Sequence, residues 1–285
     1  MIALTVVLAV LVGISLGLLG GGGSILTVPL LAYVAGMEAK QAIATSLLVV
    51  GATSAVAAIS HARAGRVQWR TGLIFGVAGM AGAYGGGLLA RFIPGSLLLI
   101  GFAVMMIATA IAMLRGRKDI EVAPHQRIPV PKVIAEGLVV GLVTGLVGAG
   151  GGFLVVPALA LLGGLPMPIA VGTSLVVIAM KSFAGFAGYL SSVTIDWKVA
   201  LMVTAAAVVG ALVGARLTAL VNPDSLRKAF GWFVLAMSSV ILVEEVHPVA
   251  GIAMAVLTVA AGIVYYARSR GPADTPAGKL SEVKP

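Results

Sequence analysis

The sequence predicts an all-α polytopic membrane protein built from two inverted-topology repeats, and three observations support this fold class. Of the 285 residues, 60% are hydrophobic and 10% charged, whereas about a quarter of a soluble domain is charged. Apolar stretches reach about 20 residues, the length of a helix that crosses a bilayer. A glycine-rich motif that ends in Pro29 recurs in a second copy that ends in Pro157. This composition excludes soluble enzymes, disordered chains and nucleic-acid modules.

Nine apolar stretches are separated by short polar loops. They cover residues 2–35, 40–60, 71–90, 96–114, 133–162, 168–190, 199–219, 226–243 and 249–267. The first and fifth are too long for one straight crossing, and glycines interrupt them at residues 20–23 and 148–152. Because glycine adopts backbone conformations that end a helix, we interpret each as a broken hairpin unit. Each repeat then has one such unit and three transmembrane helices.

The separation between Pro29 and Pro157, which we call the repeat offset, recurs along the chain. It also pairs Thr45 with Thr173, Trp69 with Trp197, and Gly82 with Gly210. Such duplication is typical of secondary transporters. We therefore assign a first repeat at 1–114, a cytoplasmic linker at 115–132, a second repeat at 133–246, an additional transmembrane helix at 247–267 and a disordered cytoplasmic tail at 268–285.

The distribution of Lys and Arg predicts the orientation. If each glycine-broken unit enters the membrane and returns, the basic residues at or beyond the ends of the apolar stretches divide into 15 on one side and 3 on the other. If each unit crosses once, they divide equally. These 18 residues are all the Lys and Arg except Lys181, and several of them lie at the ends of the apolar stretches. Because basic residues accumulate in cytoplasmic loops, the hairpin arrangement is favoured. It leaves three further crossings per half, so the repeats are inverted, with the N-terminus outside and the C-terminus in the cytoplasm.

The glycine runs indicate a binding cavity. Non-helical backbone at membrane depth needs protein or water to satisfy its polar groups, and the helix that follows each run offers free N–H groups to an anion. Nearby hydroxyls and the buried Lys181 add donors and a positive charge. The predicted substrate-binding residues are Gly20, Gly21, Gly22, Gly23, Ser24, Thr45, Ser46, Gly148, Gly150, Gly151, Gly152, Thr173, Ser174 and Lys181.

Each assignment has a structural alternative. The glycines could serve only close helix packing, and the hydroxyls could bond to their own helix backbone. Lys181 could extend to the outer interface. His61 could titrate in a coupling step, although a surface histidine is the simpler interpretation. Glu136 lies in the first turn of its span, where solvation at the interface explains it better than a proton relay.

The sequence contains no motif for metal binding, nucleotide binding or catalysis. Cysteine is absent from the sequence, the three histidines are isolated, and neither glycine run is followed by the Lys-Ser/Thr of a phosphate-binding loop. We therefore predict no metal, no cofactor and no catalytic residues. A membrane-embedded enzyme would need a buried acid, base or metal cluster, which the sequence does not offer.

The glycine-rich units ending in Pro29 and Pro157, the loop from His61 to Trp69 and the Gly-Ala-Arg-Leu of residues 214–217 resemble the sulfite exporter TauE/SafE family of bacterial permeases. The resemblance covers residues 5–245. It implies transport of sulfur-containing anions, such as sulfite, thiosulfate or sulfoacetate, outward across the cytoplasmic membrane. The chain departs from the family pattern at Gln68, where an acid often precedes the tryptophan; Asp196 keeps that acid in the second half.

Residues and resemblance together predict a secondary transporter of the bacterial inner membrane that exports small sulfur anions by alternating access. An anion channel and a permease for another small organic anion are the alternatives. The expected partners are the anion and the lipid bilayer, and helix faces rich in small residues are compatible with a homodimer. An interior-negative potential expels anions by about 2.3 kcal/mol per charge per 100 mV, so export needs no proton relay.

Overall fold

The computed structural model describes residues 2–19, 24–114, 130–148, 150–157, 159, 165, 167–217 and 223–246, and these contain helices and no β-strand. The α-helices are α1 (Ile2–Leu19), α2 (Thr27–Pro29), α3 (Ala39–Arg63), α4 (Trp69–Leu89), α5 (Gly95–Leu114), α6 (Val130–Val147), α7 (Gly152–Pro157), α8 (Met167–Tyr189), α9 (Trp197–Leu217) and α10 (Pro223–Glu245). A π-helical segment, Leu30–Val34, continues α2, and a short 3₁₀ turn, Ala90–Phe92, continues α4.

The long helices have the length and composition of membrane spans. Four in the described residues qualify: Ala39–Arg63, Trp69–Phe92, Ile169–Tyr189 and Trp197–Leu217. Shorter apolar helices cover Leu4–Leu18, Ser24–Val34 and Gly95–Ile111. At about 1.5 Å of rise per residue, a helix of about 20 residues crosses the apolar core of a bilayer. The chain is therefore an all-α, multi-pass membrane protein.

The second broken unit is interrupted where the sequence indicates. α6 ends at Val147 and α7 begins at Gly152. Between them Gly148, Gly150 and Gly151 have φ of +75°, +59° and +65°. This left-handed backbone is strained for any residue with a Cβ, so glycine is needed at all three positions.

The first unit is described on both sides of its glycine run. The glycine run at residues 20–23 lies outside the described residues. α1 extends to Leu19, and a short helical segment covers Ser24–Val34. This segment passes from a 3₁₀ turn through α2 into π-helix at Leu30. The change follows Pro29, which has no N–H with which to continue the α-helical hydrogen bonds.

Most helix ends lie close to those expected, within about one turn of helix. α6 and α10 both begin slightly early, at Val130 and Pro223. Both starts contain a proline, at Pro131 and Pro223, and proline is tolerated in a first helical turn because the N–H there has no helical partner. The additional helix at 247–267, the tail and most of the linker lie outside the described residues.

Two glycine-lined seams join the halves. On the α1–α9 seam, Gly13 lies against Ala207 and Gly17 against Ala211; on the α4–α6 seam, Gly141 lies against Gly79 and Gly145 against Ala83. A Cβ at any of these four glycines would collide with backbone of the facing helix. The repeat offset relates the second seam to the first. Along each seam, the residue numbers of the two helices increase in the same direction. α1 therefore runs parallel to α9, and α6 runs parallel to α4.

The central pair, α3 and α8, has the opposite relation. Gly51 lies against Phe183, and Gly185 lies against Leu47. Residue numbers increase along α3 in the direction in which they decrease along α8, so the two helices are antiparallel. α8 also follows α4 in parallel, with Gly87 against Gly188 near the end of both helices. The two helices that correspond in the repeat therefore cross at the centre, near Thr53 and Lys181.

Candidate functional site

The glycine turn of the second half packs against α3 of the first half. A Cβ at Gly148 would meet Ile43, and a Cβ at Gly150 would meet Val50 and come within 3.3 Å of the Cβ of Ser24. Ser24 is the first described residue after the first glycine run. Described residues of the two broken units therefore approach each other in the interior.

Lys181 lies at this junction. Its side chain is 1% exposed, and its Nζ donates a hydrogen bond of 3.0 Å to Oγ1 of Thr144 on α6. The Thr144 hydroxyl donates in turn to the Val140 carbonyl at 2.7 Å. A Cβ at Gly151 would collide with both Nζ of Lys181 and Cγ2 of Thr144. The absence of a side chain at Gly151 thus makes the space that the ammonium group occupies.

Within the described residues, Lys181 has no ion-pair partner. It is the one charged residue among the buried side chains of the described residues. Its hydrogen-bond partner there is the neutral hydroxyl of Thr144, which uses one of the three N–H groups of an ammonium. A buried cation without a counter-ion is costly, and an anion would supply the missing charge. The arrangement therefore suits anion binding.

The predicted hydroxyls have different surroundings. Ser46 donates to the Gly148 carbonyl at 3.0 Å, so it joins α3 to the glycine turn. Thr45 is fully buried, and its Oγ1 has no hydrogen-bond partner within the described residues. Ser24 is fully buried beside Gly150. These three hydroxyls and the turn come from both halves of the repeat.

Thr173 and Ser174 are not gathered at Lys181. Thr173 Oγ1 accepts the Gln68 N–H at 2.9 Å, and Ser174 donates to the Val171 carbonyl at 2.8 Å, which is the backbone-bonded alternative for that residue. Thr173 precedes Lys181 on α8 by more than two turns, about 12 Å of helix. Both hydroxyls therefore lie beside the α3–α4 loop rather than at the ammonium group.

His61 also lies at this loop. Its Cβ is 3.2 Å from where a Cβ on Gly172 would be, and its Nδ1 is buried without a hydrogen-bond partner in the described part of the chain. Gly172 precedes Lys181 on α8 by more than two turns. A proton could therefore pass between His61 and Lys181 only through intervening groups. A coupling role for His61 stays a prediction.

Sequence reasoning missed Thr144, although the repeat contains a signal for it. By the repeat offset, Lys181 corresponds to Thr53 and Thr144 corresponds to Leu16. The second half thus has a lysine in place of Thr53 and a threonine in place of Leu16, and these two side chains contact each other. In the first half, Leu16 and Thr53 line a small cavity together with Ser54, Ala57, Leu175 and Ala211. At the equivalent positions of the second half, the Lys181 side chain contacts Thr144.

Asp196 has a structural role that explains its place before Trp197. Its Oδ1 accepts the backbone N–H groups of Lys198 and Val199 at 3.1 and 3.2 Å, which caps the start of α9. In the first half, Gln68 cannot place a carboxylate there; its Oε1 accepts the Thr71 hydroxyl instead. The departure at Gln68 therefore changes a helix cap and leaves the junction at Lys181 untouched.

Comparisons with known proteins identify the family. The family model for the sulfite exporter TauE/SafE matches residues 5–241. A probable membrane transporter protein of Xylella fastidiosa is 36% identical over 234 residues, which cover 80% of this chain and 90% of that protein. A probable membrane transporter protein of Bacillus subtilis is 29% identical over 230 residues, which cover 79% and 94% of the two chains. No solved structure is significantly similar to the chain. The chain belongs to the sulfite exporter TauE/SafE family.

Proposed function

We propose that this membrane transporter exports small sulfur-containing anions, such as sulfite, thiosulfate or organosulfonates, across the bacterial cytoplasmic membrane by alternating access. The observation that carries the proposal is the uncompensated ammonium of Lys181 at the junction of the two halves. The family supplies the substrate class, and the geometry supplies a place where an anion would neutralise a buried charge.

We propose that the two halves are inverted repeats, and the helix directions support this. α3 is antiparallel to its counterpart α8. α1 runs parallel to α9, and α6 runs parallel to α4 and hence to α8. The chain reverses between α8 and α9, where Phe186 near the end of α8 contacts Trp197 at the start of α9, so α1 runs opposite to its counterpart α6. Because α1 and α3 then share one direction, the described residues 24–38 lead back toward the side on which α1 begins, as the second arm of a hairpin unit does.

The orientation that we propose places the N-terminus outside and the α3–α4 loop in the cytoplasm. The loop and its flanks carry Arg63, Arg66 and Arg70, which suit the cytoplasmic side. Trp69 and Trp197, equivalent in the repeat, begin α4 and α9 and are 54% and 51% exposed. Tryptophan is enriched at both membrane interfaces. With inverted repeats, these two rings mark opposite faces of the bilayer.

The substrate site that we propose contains Lys181, Thr144, Gly150, Gly151 and the hydroxyls of Ser24, Thr45 and Ser46. The short helix α7 has too few residues for a strong macrodipole, so Lys181 supplies most of the attraction for an anion. The glycine turn lets the substrate approach the ammonium closely. Gly20, Gly21, Gly22 and Gly23 remain proposed members of the site and lie outside the described residues.

Burial of the site favours a carrier over a channel. Ser24, Thr45 and Ser46 are fully buried, and Lys181 is 1% exposed. A conducting channel needs a continuous water-filled path to its selectivity site, whereas a carrier passes through closed conformations. No group of His, Asp and Glu that could hold a metal occurs in the described ranges, and we propose no catalytic activity. A homodimer stays a prediction.

We propose that the α3–α4 loop forms an inner gate. The carbonyl of Arg66 lies where a Cβ on Gly172 would be, and the Gln68 N–H donates to Thr173. At the equivalent outer positions, Ala44 corresponds to Gly172, and the Thr45 hydroxyl has no partner among the described residues, whereas its counterpart Thr173 accepts the Gln68 N–H. We propose that the inner contact is therefore the tighter of the two. Thr173 contributes to this gate rather than to the anion site.

Replacement of Gly172 by alanine is expected to weaken the inner gate because the new methyl group would collide with the Arg66 carbonyl. The natural chain has no cysteine, so Val177→Cys, one turn beyond Thr173 and fully buried, would be the sole thiol. We expect its labelling from the cytoplasmic side to rise about tenfold in the Gly172→Ala background, as a shift of about 1.4 kcal/mol would produce.

The matched control uses the equivalent outer positions, Ala44 and Val49. Ala44→Gly gives the outer position the residue that the inner position has at Gly172, so labelling of Val49→Cys from outside is expected to fall. Unchanged labelling at both reporters would contradict the gate assignment. Labelling of Val177→Cys from outside only would contradict the proposed orientation.

The transport function is tested by reconstituting the full chain into liposomes. We expect saturable uptake of at least one radiolabelled anion among sulfite, thiosulfate and methanesulfonate, stimulated by a potential that is positive in the compartment receiving the anion. Chloride and acetate serve as anions without sulfur. Uptake of acetate together with no uptake of any sulfur anion would support the alternative, a permease for another small organic anion.

A further inference from the structure

The charge of the proposed site is set by a single side chain. Lys181 is the one charged group among the buried residues that the structure describes. The apolar residues packed around the junction include Val50, Val155, Val177 and Ile178, all fully buried. In such surroundings a net charge is poorly screened, so the number of charges on a bound anion has a large effect on its free energy of binding.

The helices packed against Lys181 carry no second charge near it. On α6, Glu136 precedes the Lys181 partner Thr144 by more than two turns, about 12 Å of helix. On α3, His61 follows Thr53, the residue opposite Lys181, at the same spacing. On α4, Arg70 precedes Gly79, which contacts the Lys181 side chain, by a slightly greater distance. α7 contains no ionisable residue. Each of these groups lies near a helix end.

The remaining polar groups are neutral. Thr144 Oγ1 receives the one hydrogen bond of Lys181, and Ser46 is engaged with Gly148. Ser182, the residue after Lys181, and Ser54, the residue after Thr53, have buried hydroxyls without partners in the described part of the chain. Hydroxyls stabilise an oxyanion by hydrogen bonding and contribute no formal charge. The site therefore offers one positive charge and uncharged donors.

Resting on the proposed function, we infer that the site selects anions with a single negative charge, such as bisulfite and monosulfonates, and rejects dianions. A monoanion makes the buried pair neutral. A dianion leaves one negative charge uncompensated in an apolar interior, which is strongly unfavourable. The inference narrows the substrate class: thiosulfate, sulfoacetate and fully ionised sulfite would be carried only after gaining a proton.

The test compares sulfonates that share one head group and differ in charge. The full chain in liposomes is given methanesulfonate and propane-1-sulfonate, each with one charge at every working pH, and ethane-1,2-disulfonate, with two. We expect both monosulfonates to be taken up and the disulfonate to compete at least about 100-fold more weakly, equivalent to about 2.8 kcal/mol. Propane-1-sulfonate controls for chain length, since its chain of three carbons and one sulfur has as many atoms as the S–C–C–S chain of the disulfonate.

Sulfite provides a second measurement, because its second ionisation lies near neutral pH. As pH rises through that ionisation, sulfite uptake is expected to fall relative to uptake of methanesulfonate, which carries one charge throughout and so reports any change in the site itself. Lys181→Arg should keep the preference for monoanions, because the charge is retained, whereas Lys181→Met should lose uptake of both sulfonates.

The outcomes separate this inference from the proposed function. Uptake of the disulfonate as readily as of methanesulfonate would overturn the charge rule and leave the transport function intact. Rejection of propane-1-sulfonate as strong as that of the disulfonate would make size the cause and would also overturn the rule. No uptake of any sulfur anion would overturn the transport function and the inference with it.

Discussion

Replacement of Lys181 by methionine is expected to reduce uptake of the transported anion by at least about 100-fold, because removing one partner of a buried charge pair costs about 2–5 kcal/mol. Methionine has nearly the length of lysine without the charge, so the packing around Gly79 and Gly151 is conserved. The variant should remain folded, and its thermal unfolding temperature should stay equal or rise, since an uncompensated buried charge has been removed.

Transport and thermal unfolding of the same preparation check this prediction. Lys198→Met is the matched control: Lys198 is an exposed residue at the start of α9, and its replacement should leave uptake unchanged. Lys181→Arg should retain partial activity. Full activity of a folded Lys181→Met protein would show that the ammonium group does not bind substrate.

Replacement of Gly151 by alanine is the second change expected to abolish transport. The new Cβ would collide with Nζ of Lys181 and Cγ2 of Thr144, and the φ of +65° would place alanine in left-handed backbone. We expect a loss of about 1–2 kcal/mol of stability from the backbone strain and a displaced ammonium group. Uptake assays and thermal unfolding would report the two effects separately.

Gly36 provides the control for strain alone. It has a similar φ of +69°, but no atom lies within 4 Å of a Cβ built there. Gly36→Ala should lose comparable stability and retain transport. Adding Thr144→Ser to Gly151→Ala removes the colliding methyl group and keeps the hydroxyl, so partial recovery of uptake is expected. Equal transport losses in Gly36→Ala and Gly151→Ala would contradict the site.

Much of the fold could be predicted from the sequence because its signals are local. Apolar stretches located the described helices to within about one turn, and the glycines at 148, 150 and 151 marked the break between α6 and α7. The repeat offset also linked the two glycine seams. The first residues of α6 and α10, Val130 and Pro223, were harder to predict, because proline occurs both before helices and in their first turns.

The site was harder to predict because it depends on contacts between distant segments. Lys181 was identified by its unusual position in an apolar span, but its partner Thr144 became evident only when α6 packed beside α8. Thr173 shares its sequence motif with Thr45, yet the α3–α4 loop engages the first hydroxyl and the second has no partner in the described residues. Sequence symmetry therefore located equivalent positions without showing that they have different surroundings.

The measurement that tests the central claim most directly is counterflow in liposomes containing the full chain. Liposomes are preloaded with unlabelled bisulfite, or with whichever sulfur anion the uptake assay identifies, and diluted into a trace of the labelled anion. An alternating-access carrier exchanges the two, so we expect labelled anion to accumulate transiently above its equilibrium level, and Lys181→Met to show no such accumulation. Monotonic equilibration that is independent of the preloaded anion would contradict the carrier and indicate a channel.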